Sequence, residues 1–192
     1  MRISIKTLTL ILAAVSAYNN ASAQLIDESG TDLMEASRVY TLVNLHPDEE
    51  RSRLYAVNYL QPGLIPRCAE VEPLRLRRSS FRFRVVSRDK EYEYRYHDAA
   101  TEPFAAHLIR FFGQECNPED IERLSELDQE GIRRGIASPG MTKQGIIYAL
   151  GHPPRHVNPD PLDSLTWTYW ESRFDRIVIS SSDAGIVTSI LD

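Results

Sequence analysis

The chain has 192 residues, 42% of them hydrophobic, with 22 basic and 27 acidic side chains and a net charge of −5. This length accommodates one ordinary domain or two small ones. The acidic balance excludes a general binder of nucleic acids and other polyanions, and no internal repeat or low-complexity tract suggests a repeat architecture.

Residues 1–23 read as a secretory signal peptide. Arg2 and Lys6 supply the positive start, Thr7 to Ala17 the apolar stretch, and Ala21-Ser22-Ala23 the small-residue cleavage site before Gln24. A transmembrane helix needs about 20 apolar residues and this run is shorter. No comparable run follows, so no transmembrane segment is expected in the mature chain. Loss of Arg2 and Lys6 leaves 20 basic against 27 acidic residues, a net charge of −7. The only cysteines, Cys68 and Cys116, form an even pair that an oxidising compartment would join as one disulfide. Two buried thiols are the alternative.

Residues 24–37 are polar and acidic without a sustained period and read as a flexible arm. Residues 38–116 read as a β-rich domain with a covering helix. Val39, Thr41, Val43 and Leu45 alternate with Tyr40, Leu42 and Asn44 along a first strand, Leu54 to Leu60 forms a second, and Glu70 to Leu76 a third, which Pro73 confines to an edge or a bulge. Phe81, Phe83 and Val85 alternate with Arg82 and Arg84, and Tyr92, Tyr94 and Tyr96 with Glu93 and Arg95, the pattern of half-buried antiparallel strands. About five short strands in succession suggest a strongly curved sheet or a small barrel of the SH3-like kind. Thr101-Glu102-Pro103 opens a helix whose stripe of Phe104, Leu108, Phe111 and Phe112 covers the sheet.

Residues 117–192 form a second unit. Asn117-Pro118-Glu119-Asp120 starts a helix with Ile121, Leu124, Leu127 and Ile132 in one apolar arc, closed by Gly135. The next helix carries the fullest set of boundary signals in the chain. Thr142 is its N-cap, Met141 and Ile146 form a hydrophobic staple, and Gly151 with Pro153 and Pro154 ends it. A proline-rich loop follows. Trp167 and Tyr169 then face one way and Trp170 the other along a first strand, Ile177 to Ile179 form a second, and Asp183-Ala184-Gly185 turns the chain into a third.

Gly140-Met141-Thr142, the helix ending in Ala149-Leu150-Gly151, the proline beyond it, Trp167-Thr168-Tyr169-Trp170 and the hairpin around Asp183-Ala184-Gly185 resemble the SmpA/OmlA (BamE-like) family of small Gram-negative envelope proteins. The resemblance covers the last third of the chain. It implies two helices on a three-stranded antiparallel sheet and a periplasmic, protein-binding role in outer-membrane assembly. The lipid-attachment Cys of the family's lipoproteins has no counterpart near Ala23.

No nucleophile elbow, phosphate loop or dinucleotide fingerprint is present. His152 and His156 have the spacing of a helical metal pair, but Pro153 and Pro154 between them prevent a shared helix face. No catalytic residue, metal or cofactor is therefore expected. Arg67 to His97 holds nine Lys/Arg against five Asp/Glu. Arg75, Arg77, Arg82 and Arg84 lie opposite the apolar residues of their strands and should share an exposed face. That face is either an ordinary solvated surface or a contact for envelope proteins or anionic headgroups. Trp170 is a further candidate contact. The reading is thus an α+β, non-enzymatic periplasmic binding module, or alternatively a periplasmic inhibitor or accessory subunit of a soluble enzyme.

Overall fold

The computed structural model describes residues 24–57 and 60–192. The signal-peptide expectation, and the part of the second expected strand at Asn58 and Tyr59, lie outside the described residues. The fold is α+β, with two sheets and short helices.

The first sheet comprises β1 (Val39–Thr41), β2 (Arg53–Tyr55), β3 (Glu70–Arg77), β4 (Ser80–Val85), β5 (Lys90–Arg95) and β6 (Phe112–Gly113), in the order β2-β5-β4-β3-β1-β6. All pairings are antiparallel except that of β2 with β5, which is parallel. The two end strands do not pair with each other, so the sheet is curled but open. Its inner face buries Phe81, Phe83, Tyr92 and Tyr94. The expected covering helix is a short α1 (Phe104–Leu108), and Phe112, placed on that helix by periodicity, is a residue of edge strand β6. The aromatic stripe is still buried, because Phe111 and Phe112 reach the same core through the turn after α1.

Residues 24–37 are not a free arm. Leu25 and Leu33 are fully buried in the first core. A tight turn brings them together, with Leu33 N–H donating to Leu25 O (2.8 Å) and the Asp27 carboxylate accepting from Ser29 and Thr31 N–H. Two leucines on one side of a turn were too sparse to register as a period.

The second unit holds α2 (Glu119–Glu122), α3 (Glu126–Arg134), α4 (Lys143–Leu150), β7 (Thr166–Trp170), β8 (Arg176–Ser181) and β9 (Val187–Leu191). The single helix expected after Asn117 is two helices, because Ser125 caps a new start, its hydroxyl accepting from Asp128 N–H (3.1 Å). Leu127, assigned to the apolar arc, is 41% exposed as a result. Thr142 caps α4 as its sequence requires, accepting from Gly145 N–H (2.9 Å). Strands β7-β8-β9 form an antiparallel meander, and its inward residues Trp167, Tyr169, Ile179 and Val187 share a core with Ile132, Met141, Ile146, Ala149 and Leu150.

Candidate functional site

The site predicted from sequence is the outward face of the first sheet, and strand register builds it. In the pairing of β3 with β4, Val71 and Pro73 face inward opposite Val85 and Phe83. The register then shifts at Leu74, so that Arg75 pairs with Arg82 and Arg77 with Ser80. This bulge inverts the parity of β3 beyond Pro73, as one extra residue must. Without it Arg75 would point into the core. Pro73 was tied to an edge or a bulge, and since β3 lies inside the sheet, the bulge is what applies.

Residues in register across neighbouring strands point to the same side, and two outward rows follow. One runs Arg75, Arg82, Glu93, Arg53; the next runs Arg77, Ser80, Arg95, Tyr55. Arg78 sits in the turn at the end of the second row and is exposed. The rows hold five arginines against one glutamate, and Arg78 makes six. Arg95 (2.8 Å) and Arg53 (3.7 Å) share Glu93. Arg75, Arg77, Arg78 and Arg82 are exposed and form no ion pair among the described residues.

Arg84 needs a correction. It lies on the same face, but its row is Glu72, Arg84, Glu91. Its guanidinium is held by Glu72 (3.0 Å), Glu91 (3.1 Å) and Asp89 (3.6 Å). The Glu91 hydrogen bond and the charge of Glu72 raise its pKa further. It is a neutralised arginine at the margin of a net positive group. Arg53 and Arg95, which belong to that group, were not singled out. Arg95 was legible, because it alternates with Tyr94 and Tyr96; Arg53 depends on a parallel pairing that no local pattern encodes.

Trp170 is not brought to this face. It lies on β7, opposite Arg176, and is only half-exposed. Its carbonyl accepts from Leu60 N–H (2.7 Å), and its indole N–H is buried without a hydrogen-bond partner among the described residues. Cys68 and Cys116 are joined as a disulfide with a Cα–Cα distance of 5.4 Å.

A second charged cluster has the residue types of a proton relay. The Tyr94 hydroxyl donates to His107 Nε2 (2.8 Å), and His107 Nδ1 lies 3.1 Å from Glu102 Oε1. Arg110 and Arg155 also reach the Glu102 carboxylate. Burial pushes the His107 pKa down, so the ring is neutral and its partners assign the proton to Nδ1. Burial also raises Glu102, but the His107 hydrogen bond and the nearby guanidinium groups outweigh it and hold the carboxyl below its ordinary value. Tyr94 and His107 are 1% and 2% exposed, so no substrate could touch them. The cluster satisfies buried polar groups inside an aromatic core. His152 was taken for an exposed loop residue; it stacks edge-on against Phe111 at 5.5 Å, and burial together with the charge of Arg110 lowers its pKa to about 3.

A cleft of about 700 Å3 opens between β6, the 27–29 turn and α4. Arg67 lines it, but its guanidinium is committed to Leu42 O (3.0 Å), Asn117 O (2.8 Å) and Asp120 (3.0 Å). The cleft lining also holds Asp27, Glu28, Arg110, Glu115 and His152. Compared with protein-family models, curated proteins and solved structures, the chain has no significant match.

Proposed function

We propose that the protein is an exported, non-enzymatic binding module of the cell envelope, serving outer-membrane assembly or envelope integrity, and that the outward arginine rows are its contact surface. The observation that carries this reading is charge asymmetry. At one end of the outward sheet face two rows and their turn gather six arginines against one glutamate, while the acids of that face, Glu70, Glu72 and Glu91, lie beyond them around Arg84, in a chain whose net charge is negative. Four of those arginines have no carboxylate partner among the described residues, unlike Arg84 beside them. An arginine held free of neighbouring acids is available to a partner, whereas one already neutralised is not. The leader-like residues 1–23 and the Cys68–Cys116 bond support export. The BamE-like reading of the last third rests on its motif order together with the two helices over a meander.

A second reading, an inhibitor or accessory subunit of a soluble periplasmic enzyme, is favoured by Phe174. Its ring is 83% exposed at the β7–β8 tip. There Ser172 Oγ accepts from Phe174 N–H and Asp175 N–H (3.1 Å each), holding the loop in one shape. A preordered aromatic loop loses little entropy on entering an apolar recess.

Site-specific photo-crosslinking in cells separates the two. The full chain is expressed with a crosslinking residue at position 82, 133 or 174. The proposal expects the chain in the envelope fraction, with crosslinks to envelope components from 82 and none from the outer face of α3 at 133. Crosslinking from 174 alone to one soluble enzyme would favour the second reading. A cytoplasmic chain, or silence at 82, would overturn the first.

A further inference from the structure

We infer that the arginine rows bind the phosphate groups of an anionic lipid surface. This rests on the binding-module reading and names the partner for its contact face. Strands in a sheet lie about 4.8 Å apart and alternate residues along a strand about 6.8 Å apart. Four strands, β3, β4, β5 and β2, therefore spread their arginines about 14 Å across the outer side of the curled sheet. The two rows, with Arg78 at the turn, are a two-dimensional array and not a groove. Arginine suits phosphate because its planar fork of donors matches the oxygens in a bidentate way.

The face also lacks what a stable protein interface requires. Such interfaces bury an aromatic or aliphatic centre surrounded by a polar rim. The centre here is Arg82 flanked by Arg75 and Glu93, with Ser80 below, and the one aromatic, Tyr55, sits half-buried at the β2 margin. An open, outward charged face without an apolar anchor fits the headgroup level of a bilayer, and no described helix is long and apolar enough to cross one. The acidic run Glu115, Glu119, Glu122 and Glu126, exposed around α2 and the start of α3, is repelled by the same surface. Attraction to the lipid is therefore confined to the arginine end of the sheet.

The test is flotation of the mature chain with vesicles of phosphatidylcholine alone or mixed with phosphatidylglycerol. Bound fraction should rise with the anionic lipid. It should vanish near 1 M salt, where the screening length is about 3 Å. Loss of a headgroup-facing arginine corresponds to about a fivefold drop, so R75E/R82E should bind at least tenfold less. R133E/R134E, which alters the charge equally on the outer face of α3, should bind as the parent does. Unchanged circular dichroism confirms that both variants fold. Equal binding by R75E/R82E and the parent, or no preference for anionic vesicles, overturns the inference. If vesicles are not bound while position 82 still crosslinks to an envelope protein, the lipid inference falls and the module reading stands; if both fail, both fall.

Discussion

Asp128 is a fully buried carboxylate whose partners meet at the junction of two helices. It accepts from Thr142 N–H (2.8 Å), Thr142 Oγ1 (3.2 Å) and Ser125 Oγ (2.8 Å). The negative group thus sits at the positive end of the α4 dipole, where it is stabilising. Its approach explains Gly145, because a Cβ there would lie 1.9 Å from Asp128 Oδ1. Gly131, a weak helix former by sequence, is explained in the same way by Met141, whose Sδ and Cε occupy the place of a Cβ. Gly145→Ala would gain about 1 kcal/mol of helix propensity. Displacing a buried carboxylate and unpairing Thr142 N–H costs more, on the order of 3 kcal/mol. Urea unfolding should therefore show G145A less stable by about 2 kcal/mol, and a G145A protein as stable as the parent would refute the role given to Asp128.

At the scale of elements, the sheets are short and their edges are covered by means other than more strand. Asn158 caps the β7 edge, donating to Thr168 O (2.9 Å) and accepting from Thr168 N–H (2.8 Å). On the other side, the approach to α4 pairs with the start of β9 through Gly140 N–H to Val187 O and Val187 N–H to Met141 O (2.8 Å each). These contacts occupy groups that would otherwise template aggregation. The first sheet is tied by the Cys68–Cys116 bond, which spans 48 residues containing β3, β4, β5, α1 and β6. A loop of that length gives about 4 kcal/mol on the chain-entropy account. The C68A/C116A variant should lose about that much in denaturant titrations. A loss below about 1 kcal/mol would mean that the unfolded chain is already compact without the bond.

Across the whole molecule, the two cores are clasped by polar groups of the segment after β1. Asn44 donates to Ile132 O (2.6 Å) and Ala149 O (3.3 Å) and accepts from Arg67 N–H (2.8 Å), while His46 donates to Ala149 O (2.8 Å). Ile147 and Tyr148 touch both cores. Three histidines in these regions, His46, His107 and His152, have pKa values lowered chiefly by burial. The sign follows from linkage. The unfolded chain takes up protons below about pH 6.5 and the folded one does not, so stability is present above that pH and is lost as pH falls toward the folded values, about 3 for His152. The lowered Glu102 carboxyl acts in the same direction at the acid end of this window. Thermal melts should show a midpoint falling steadily between about pH 6.5 and 3, and a flat profile would contradict the neutral state of the buried His46 and His107 and the half-buried His152.

The sequence by itself determined whatever is encoded within a few neighbouring residues. The Thr142 cap and the Met141–Ile146 staple fix α4, and the alternation of Phe81 to Val85 and Tyr92 to Tyr96 fixes β4 and β5. Each is a local preference that agrees with the final packing. The choice between a disulfide and two thiols, in contrast, was settled only by the fold that brings Cys68 to Cys116. Tertiary structure decided the rest. The parallel pairing of β2 with β5, the bulge that turns Arg75 outward, the neutralisation of Arg84, the docking of Leu25 and Leu33 and the burial of Asp128 all depend on groups brought close from distant parts of the chain. Periodicity can say which side of a strand a residue occupies, but only register says which neighbour it meets there.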